Sequence, residues 1–343
     1  MKLLLDVLLN SHKTQTPPIW LMRQAGRYLP EYREVRKYAG TFLDLCYNPE
    51  LASKVTIQPI ERFNFDGAII FSDILIVPHI LGLDVKFLEG EGPKVETVAT
   101  EKDLDKLSVK SKETCEKIQK VCKALELTKL NLNKDKTLIG FAGSPWTVAT
   151  YIISDKKHDF EFCRKFAYEK NELLKKLIDL IVDQTIIYLK AQIDSGAEVI
   201  QLFDSWCGVL AEEHFHQFVI EPTKKIVAAL KGYSKNTPII GFPKGAGVFY
   251  ADYLKETKVD GLSIDQLVPL KYAKELQKNT VVQGNLDPLI LFLSQDEIAR
   301  NVDKIMSELS GGNFIFNLGH GIMQHTPVDN VKFLVDYVRN WKK

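Results

Sequence analysis

The sequence predicts an α/β protein, a single-domain (β/α)8 TIM barrel spanning 1–343 with an N-terminal helical extension. Three observations predict it. Eight short β-branched or aromatic runs are each followed by a polar or glycine-rich turn and then a longer stretch of helical period. These runs are apolar on both faces, as strands of a parallel sheet covered by helices are. No Pro-, Ser- or Gly-rich linker divides the chain. An open doubly wound sheet of the Rossmann kind would show GxGxxG after its first strand, and the chain has none.

The elements follow in order. Residues 1–10 form an apolar run broken by Asp6 with no small-residue cleavage site after it. They read as a short amphipathic helix lying on the body, not as a signal peptide. The expected strands are 18–22, 68–71, 138–141, 198–203, 238–242, 259–264, 280–283 and 313–317. The expected helices are 49–63, 101–127, 160–195, 211–231, 247–258, 269–277 and 296–309, with 328–341 closing the chain. The lysine-rich stretch 102–136 reads as solvated helix and loop.

Composition narrows the function classes. Lys and Arg number 45 against 44 Asp and Glu, a formal charge of +1. Coating nucleic acid or an anionic membrane needs a clustered basic excess, so neither partner is expected. No apolar run approaches the ~20 residues that cross a bilayer. The five cysteines include no CxxC pair and lack zinc-ligand spacing. A reduced, cytoplasmic protein without a metal site is expected.

Barrel chemistry gathers where strands end, at the C-terminal face. Those positions hold Arg23, Gln24, Gly26 and Arg27, then Ser72 and Asp73, then Gly143, Pro145, Trp146 and Tyr151. Asp204, Ser205, Pro243, Lys244, Asp265, Asn285 and Gly319-His320-Gly321 complete the rim. Arginine suits bidentate capture of carboxylates or phosphates. The residues alone leave open whether Arg23 and Arg27 do this or pair with Glu31 and Glu34 at the surface. Gly26 and Pro30 mark the segment as a loop, and Arg33 and Arg36 are expected to be structural.

Asp73 lies among apolar residues and needs donors or a cation, either a core arginine or groups on a ligand. His320 stands between two glycines, where nothing bulky screens it. Tyr151 is either a site residue or a core aromatic on the helix that begins near Trp146, and Ser205 either a site residue or a helix N-cap. Gly241 to Gly247 lacks the phosphate-loop spacing, and neither GxSxG nor HExxH occurs. His214 and His216 stand two apart, which on a helix puts them on different faces.

Taken together, Pro18-Ile19-Trp20-Leu21-Met22-Arg23-Gln24-Ala25-Gly26-Arg27-Tyr28-Leu29-Pro30-Glu31-Tyr32-Arg33 closely resembles the N-terminal signature of the uroporphyrinogen decarboxylase family. Gly140-Phe141-Ala142-Gly143-Ser144-Pro145-Trp146-Thr147 resembles its second signature. The segments around Asp73, Asn285 and His320 match in the expected order, so the resemblance spans nearly the whole chain. At one place the chain departs from it. Met323-Gln324-His325 stands where the family pattern often has Leu-Pro.

The resemblance implies a (β/α)8 barrel. It also implies a carboxy-lyase that converts the four acetate arms of uroporphyrinogen III to methyls, giving coproporphyrinogen III for haem synthesis. It implies no cofactor and a homodimer. Asp73, Arg23, Tyr151 and His320 would be catalytic. The substrate would be bound by Arg23, Gln24, Ala25, Gly26, Arg27, Asp73, Phe141, Tyr151, Ser205 and His320. A zinc-dependent, corrinoid-linked methyltransferase of the same broad superfamily would need a His-x-Cys and a further Cys, which the chain lacks. A porphyrin carrier would need the carboxylate clamps but not the opposed Asp73.

Overall fold

The computed structural model describes residues 2–10, 16–88, 92–107, 109, 112–154 and 159–342. Nine strands are named in chain order: β1 (Gly67–Ile69), β2 (Val85–Leu88), β3 (Gly92–Val95), β4 (Thr137–Gly143), β5 (Val199–Asp204), β6 (Ile239–Pro243), β7 (Gly261–Ser263), β8 (Val281–Leu286) and β9 (Phe314–Leu318). Strands β2 and β3 pair antiparallel as a separate ribbon, unforeseen because each is four residues long without clear alternation. The other seven form one parallel sheet, β1-β4-β5-β6-β7-β8-β9.

The remaining gap, between β9 and β1, is closed by the segment expected as the first strand. Ile19 bridges Phe316 in parallel. Phe316 donates to the Pro18 carbonyl over 2.9 Å on one side, and Asp66 donates to the Ile19 carbonyl over 2.9 Å on the other. The expected strand 18–22 is thus reduced to a single bridge. The chain turns away early, because the Met22 amide is taken by Asn317 Oδ1 at 3.0 Å and Arg23 adopts φ 60°.

Parallel strands buried on both faces exclude water, yet this barrel holds a polar layer at its centre. Trp20 donates its indole N–H to Gln283 Oε1 over 2.8 Å. Gln283 Nε2 donates in turn to Gln201 Oε1 and to Ser263 Oγ, both at 3.1 Å. All four side chains are buried and satisfied by one another, which makes so polar a layer tolerable in an apolar interior.

The opposite end of the barrel is covered by the expected N-terminal helix, Leu3–Asn10, which buries Leu4, Val7 and Leu8. Each such apolar side chain contributes roughly 1.5–3 kcal/mol on burial. Gly67 and Gly261 lie beneath it, where a Cβ would stand 3.0 Å from Leu4 and 3.1 Å from Leu8. With one end covered, chemistry is left to the other.

The surrounding helices largely follow expectation, and Pro49–Phe63 coincides with its forecast. Other forecasts ran separate pieces together. The stretch 160–195 divides into Phe160–Glu169 and Asn171–Asp194 at Lys170, whose φ and ψ of −126° and 40° leave the helical region. The stretch 101–127 is Glu101–Leu104 followed by Lys112–Asn131. Within 211–231, a π-helical turn at His216–Ile220 precedes Pro222, which has no N–H to donate. Pro30 starts a helix, Pro30–Tyr38, where a loop was expected; its fixed φ suits a first helical position.

Candidate active site

The C-terminal strand ends converge as the topology requires, and the arginine loop shows how local sequence builds the rim. Gln24 is fully buried. Its Oε1 accepts from the Leu21 amide at 3.1 Å and its Nε2 donates to the Gly67 carbonyl at 2.9 Å. The side chain that the resemblance placed among substrate contacts is therefore engaged in tying the loop to β1. Tyr28 donates its hydroxyl to the Gln24 carbonyl, and Arg33 donates to the Arg27 and Tyr28 carbonyls.

This bracing leaves the Arg23 and Arg27 side chains exposed, with Ala25 and Gly26 half-buried between them. Neither guanidinium has an ion pair among the described residues. The alternative, pairing with Glu31 and Glu34, is not adopted. Glu31 takes Arg62 at 2.6 Å and Glu34 takes Lys37 at 2.6 Å.

Asp73 follows β1, half-buried, and accepts the Leu75 amide on Oδ1 at 2.8 Å. Among the described residues no core arginine pairs with it. Burial pushes its carboxyl up to about 6, while the Leu75 amide and the Arg23 charge act in the opposite direction. It is an anion held against a cation without contact, its other oxygen without a protein donor among the described residues.

Tyr151 sits in the helix Pro145–Ile153, half-buried, and accepts the Trp206 indole N–H on its hydroxyl at 3.2 Å. The connection continues inward. The Trp206 amide donates to Thr147 Oγ1 at 3.0 Å, and the Thr147 hydroxyl donates to Asp204 Oδ1. Asp204 is 1% exposed, and its Oδ2 meets no donor among the described residues. Burial raises its carboxyl to about 7, opposed by the Thr147 bonds. Ser205 is half-buried in the turn after β5 and caps no helix, since the short 3₁₀ turn that follows begins from Trp206.

Aromatic rings line the wall between these groups. Phe141, buried on β4, meets Phe203 edge-on at 5.6 Å between centroids; Phe203 meets Phe242 at 6.3 Å, and Phe242 lies 6.5 Å from His320. His320 is half-buried. Burial, then the Arg23 and Lys244 charges, lower its imidazole to about 3, so the ring is neutral in ordinary buffers. The glycines beside it are there for space. A Cβ on Gly321 would overlap the Arg23 side chain, and one on Gly319 would overlap the Gln266 backbone.

Asp73, Tyr151 and His320 all feel the Arg23 charge, and Phe141 reaches His320 through Phe203 and Phe242, while Arg27 and Ser205 stand on the loops beside them. Sequence reasoning passed over Trp206, Thr147 and the charge of Lys244, all within a few residues of positions it had marked. Among the described residues no three His, Cys, Asp or Glu side chains group to hold a metal ion. His214 instead packs between Tyr168 at 4.3 Å and Phe218 at 5.2 Å.

Residues 2–341 match the family model for uroporphyrinogen decarboxylase. The chain belongs to the uroporphyrinogen decarboxylase family. A uroporphyrinogen decarboxylase of Rickettsia canadensis is 48% identical over 345 residues, 100% of each chain. One from Rickettsia bellii is 50% identical over 327 residues, 95% of each. Among solved structures, a methyltransferase from Methanosarcina mazei superposes with a TM-score of 0.81 over 98% of this chain and 97% of its own. At 21% identity it shows the shared barrel fold alone. The resemblance carried by residues 18–33 and 140–147 is thus family membership, and the (β/α)8 architecture of the uroporphyrinogen decarboxylase family agrees with the seven-stranded parallel sheet closed at Ile19.

Proposed function

We propose that this chain is a carboxy-lyase that removes CO₂ from the four acetate arms of uroporphyrinogen III, giving coproporphyrinogen III, without cofactor or metal. The observation that carries the reading is half-buried Asp73, with no ion pair among the described residues and within reach of the Arg23 charge. Recognition of an octa-acid calls for cations, and a lone carboxylate among them has a use only if positive charge develops there.

Exposed Arg23 and Arg27 hold carboxylate arms, bidentate where the fork of the guanidinium allows. Asp73 accepts the central pyrrole N–H groups. Protonation of the pyrrole carbon beside an acetate makes the ring an iminium-like electron sink. The C–C bond electrons then flow into the ring as CO₂ leaves, and protonation of the exocyclic carbon with loss of the ring proton completes a methyl group. The substrate thus supplies the electron sink that a cofactor supplies elsewhere. At about 4 Å and an effective dielectric near 20, the Asp73 charge stabilises the cation by roughly 4 kcal/mol before desolvation. Neutral His320, Tyr151 and Ser205 orient further arms, and Phe141 packs on the macrocycle. Gln24 contributes by holding the loop, with Ala25 and Gly26 presenting its backbone.

The test is anaerobic turnover of uroporphyrinogen by chelator-treated protein, with coproporphyrinogen as the expected product. A requirement for added zinc or corrinoid overturns the reading. Asp73→Asn separates enzyme from carrier: binding is retained and turnover falls by at least about a hundredfold, the scale of losing a preorganised charge. A carrier would be indifferent to the change. We also propose a homodimer in the cytoplasm, following the resemblance; light scattering giving the monomer mass would remove the first part. The described helices include none long and apolar enough to cross a membrane.

A further inference from the structure

Lys244 stands at the end of β6, half-buried, and has no ion pair among the described residues. Several lysines of similar burial do have one, while Lys190 faces the Tyr233 ring and Lys274 donates to Gln277. Lys2 meets Glu198 at 2.6 Å, Lys129 meets the same carboxylate at 2.8 Å, and Lys231 meets Asp260 at 2.6 Å. Two aspartates lie close to Lys244, yet both are turned inward. Asp204 accepts from Thr147, and Asp265, 1% exposed, accepts from the Gly245 amide at 2.6 Å, Tyr250 at 2.9 Å and Leu267 at 2.8 Å. What the Lys244 ammonium does face is the Trp206 ring, 5.7 Å from its centroid.

The turn presenting it is held on every side. The Lys244 amide donates to the Asp204 carbonyl at 3.0 Å and to the Phe242 carbonyl at 3.1 Å. Gly245, at φ +79°, rests so closely on Gly208 that a Cβ on Gly208 would overlap its backbone. A rigid turn that withholds a cation from available carboxylates, beside the ring that bonds Tyr151, is a preorganised anion site.

We propose that Lys244 is a third carboxylate anchor of the mouth, taking one acidic arm of the tetrapyrrole on the β6 side, across from Arg23 and Arg27. This rests on the reading of the chain as acting on uroporphyrinogen. Two arginines on one loop fix one side of a flexible macrocycle; a cation on β6 fixes the other and sets which pyrrole unit comes to Asp73. The neighbouring His320, whose imidazole is lowered partly by this ammonium, stays neutral and does not compete for the arm.

Steady-state kinetics with uroporphyrinogen test it. Lys244→Met keeps the aliphatic stem and removes the charge. It is expected to raise KM about tenfold, with kcat within about twofold. The dependence of KM on salt should flatten, and Lys244→Arg should restore most of the affinity. Tm should stay within about 2 °C of the unchanged protein, because only the weak contact with the Trp206 ring is lost. Lys244→Gln repeats the measurement if the methionine variant does not fold, and failure of both to fold overturns the proposal by making the lysine structural. An unchanged KM, or a fall in kcat alone, overturns it while leaving the decarboxylase reading intact. Absence of turnover in the unchanged protein removes that reading and the proposal with it.

Discussion

Trp206 donates its indole N–H to the Tyr151 hydroxyl over 3.2 Å, linking the turn after β5 to the helix after β4. The same tryptophan is gripped from behind through its amide by Thr147, and through its carbonyl by the Trp146 indole at 3.1 Å. The orientation of Tyr151 is thus inherited from a buried hydrogen-bonded path ending at Asp204. Trp206→Phe keeps the ring and deletes the donor. It should lower kcat/KM about three- to tenfold, as expected for one neutral hydrogen bond, and the loss should vanish in a Tyr151→Phe background. Equal losses in both backgrounds would show that the bond does not transmit.

The acid limb of kcat/KM should report Asp73. Burial sets its carboxyl near 6, and the Arg23 charge lowers it from where burial alone would leave it. Activity should therefore fall as pH drops through about 6. In Arg23→Met the limb should move to higher pH, whatever happens to KM. His320, held near 3, is not the group titrating, so His320→Gln should leave the limb where it is. A limb that moves with His320 would reassign it.

Stability should carry the opposite imprint of the same burial. Asp73 near 6 and Asp204 near 7 bind protons more tightly folded than unfolded, where carboxyls titrate near 4. Their contribution is fully present below the unfolded value and is lost as pH rises through the folded ones. Asp73→Asn should then raise stability above pH 7 by about 1–2 kcal/mol after discounting for solvent at the open mouth, while lowering turnover by at least about a hundredfold. Denaturant melts of both proteins at pH 5 and pH 8 measure this; no gain at pH 8 means the carboxylate is better solvated than its surroundings indicate.

The two glycines around His320 should separate function from folding. At Gly321 an added methyl meets the Arg23 stem, with Cγ at 2.7 Å and Nε at 2.9 Å, so Gly321→Ala displaces the side chain proposed to hold a carboxylate arm. A severalfold rise in KM with little loss of Tm is expected. At Gly319 the methyl meets the Gln266 and Asp265 backbone, which yields far less readily. Gly319→Ala should cost about 1–3 kcal/mol of stability, the range for overpacking. Thermal melts and KM values of the pair decide it.

The strand-end rule makes most of the candidate mouth legible in the sequence, because a barrel converts eight separate loops into one rim. Arg23, Asp73 and His320 were legible for that reason. Thr147 and Trp206 were not. A threonine inside a helix and a tryptophan in a turn are ordinary residues until Asp204 is known to lie behind them with no ion pair among the described residues. Lys244 was visible as a position but not as a site, since a lysine's meaning depends on whether its neighbouring carboxylates face it.

The sequence by itself determined the alternation of strands and helices, the family, and the cluster of guanidinium groups against one opposed carboxylate. These are local or periodic signals, carried by residue type and spacing. Only the tertiary structure decided that the first strand shrinks to one bridge at Ile19, that Gln24 faces inward, and that Trp20, Gln201, Ser263 and Gln283 satisfy one another at the barrel's centre. The physical reason is common to all three. The partner of a buried polar group can stand hundreds of positions away along the chain, and the cost of leaving that group unpaired is settled only when the strands close.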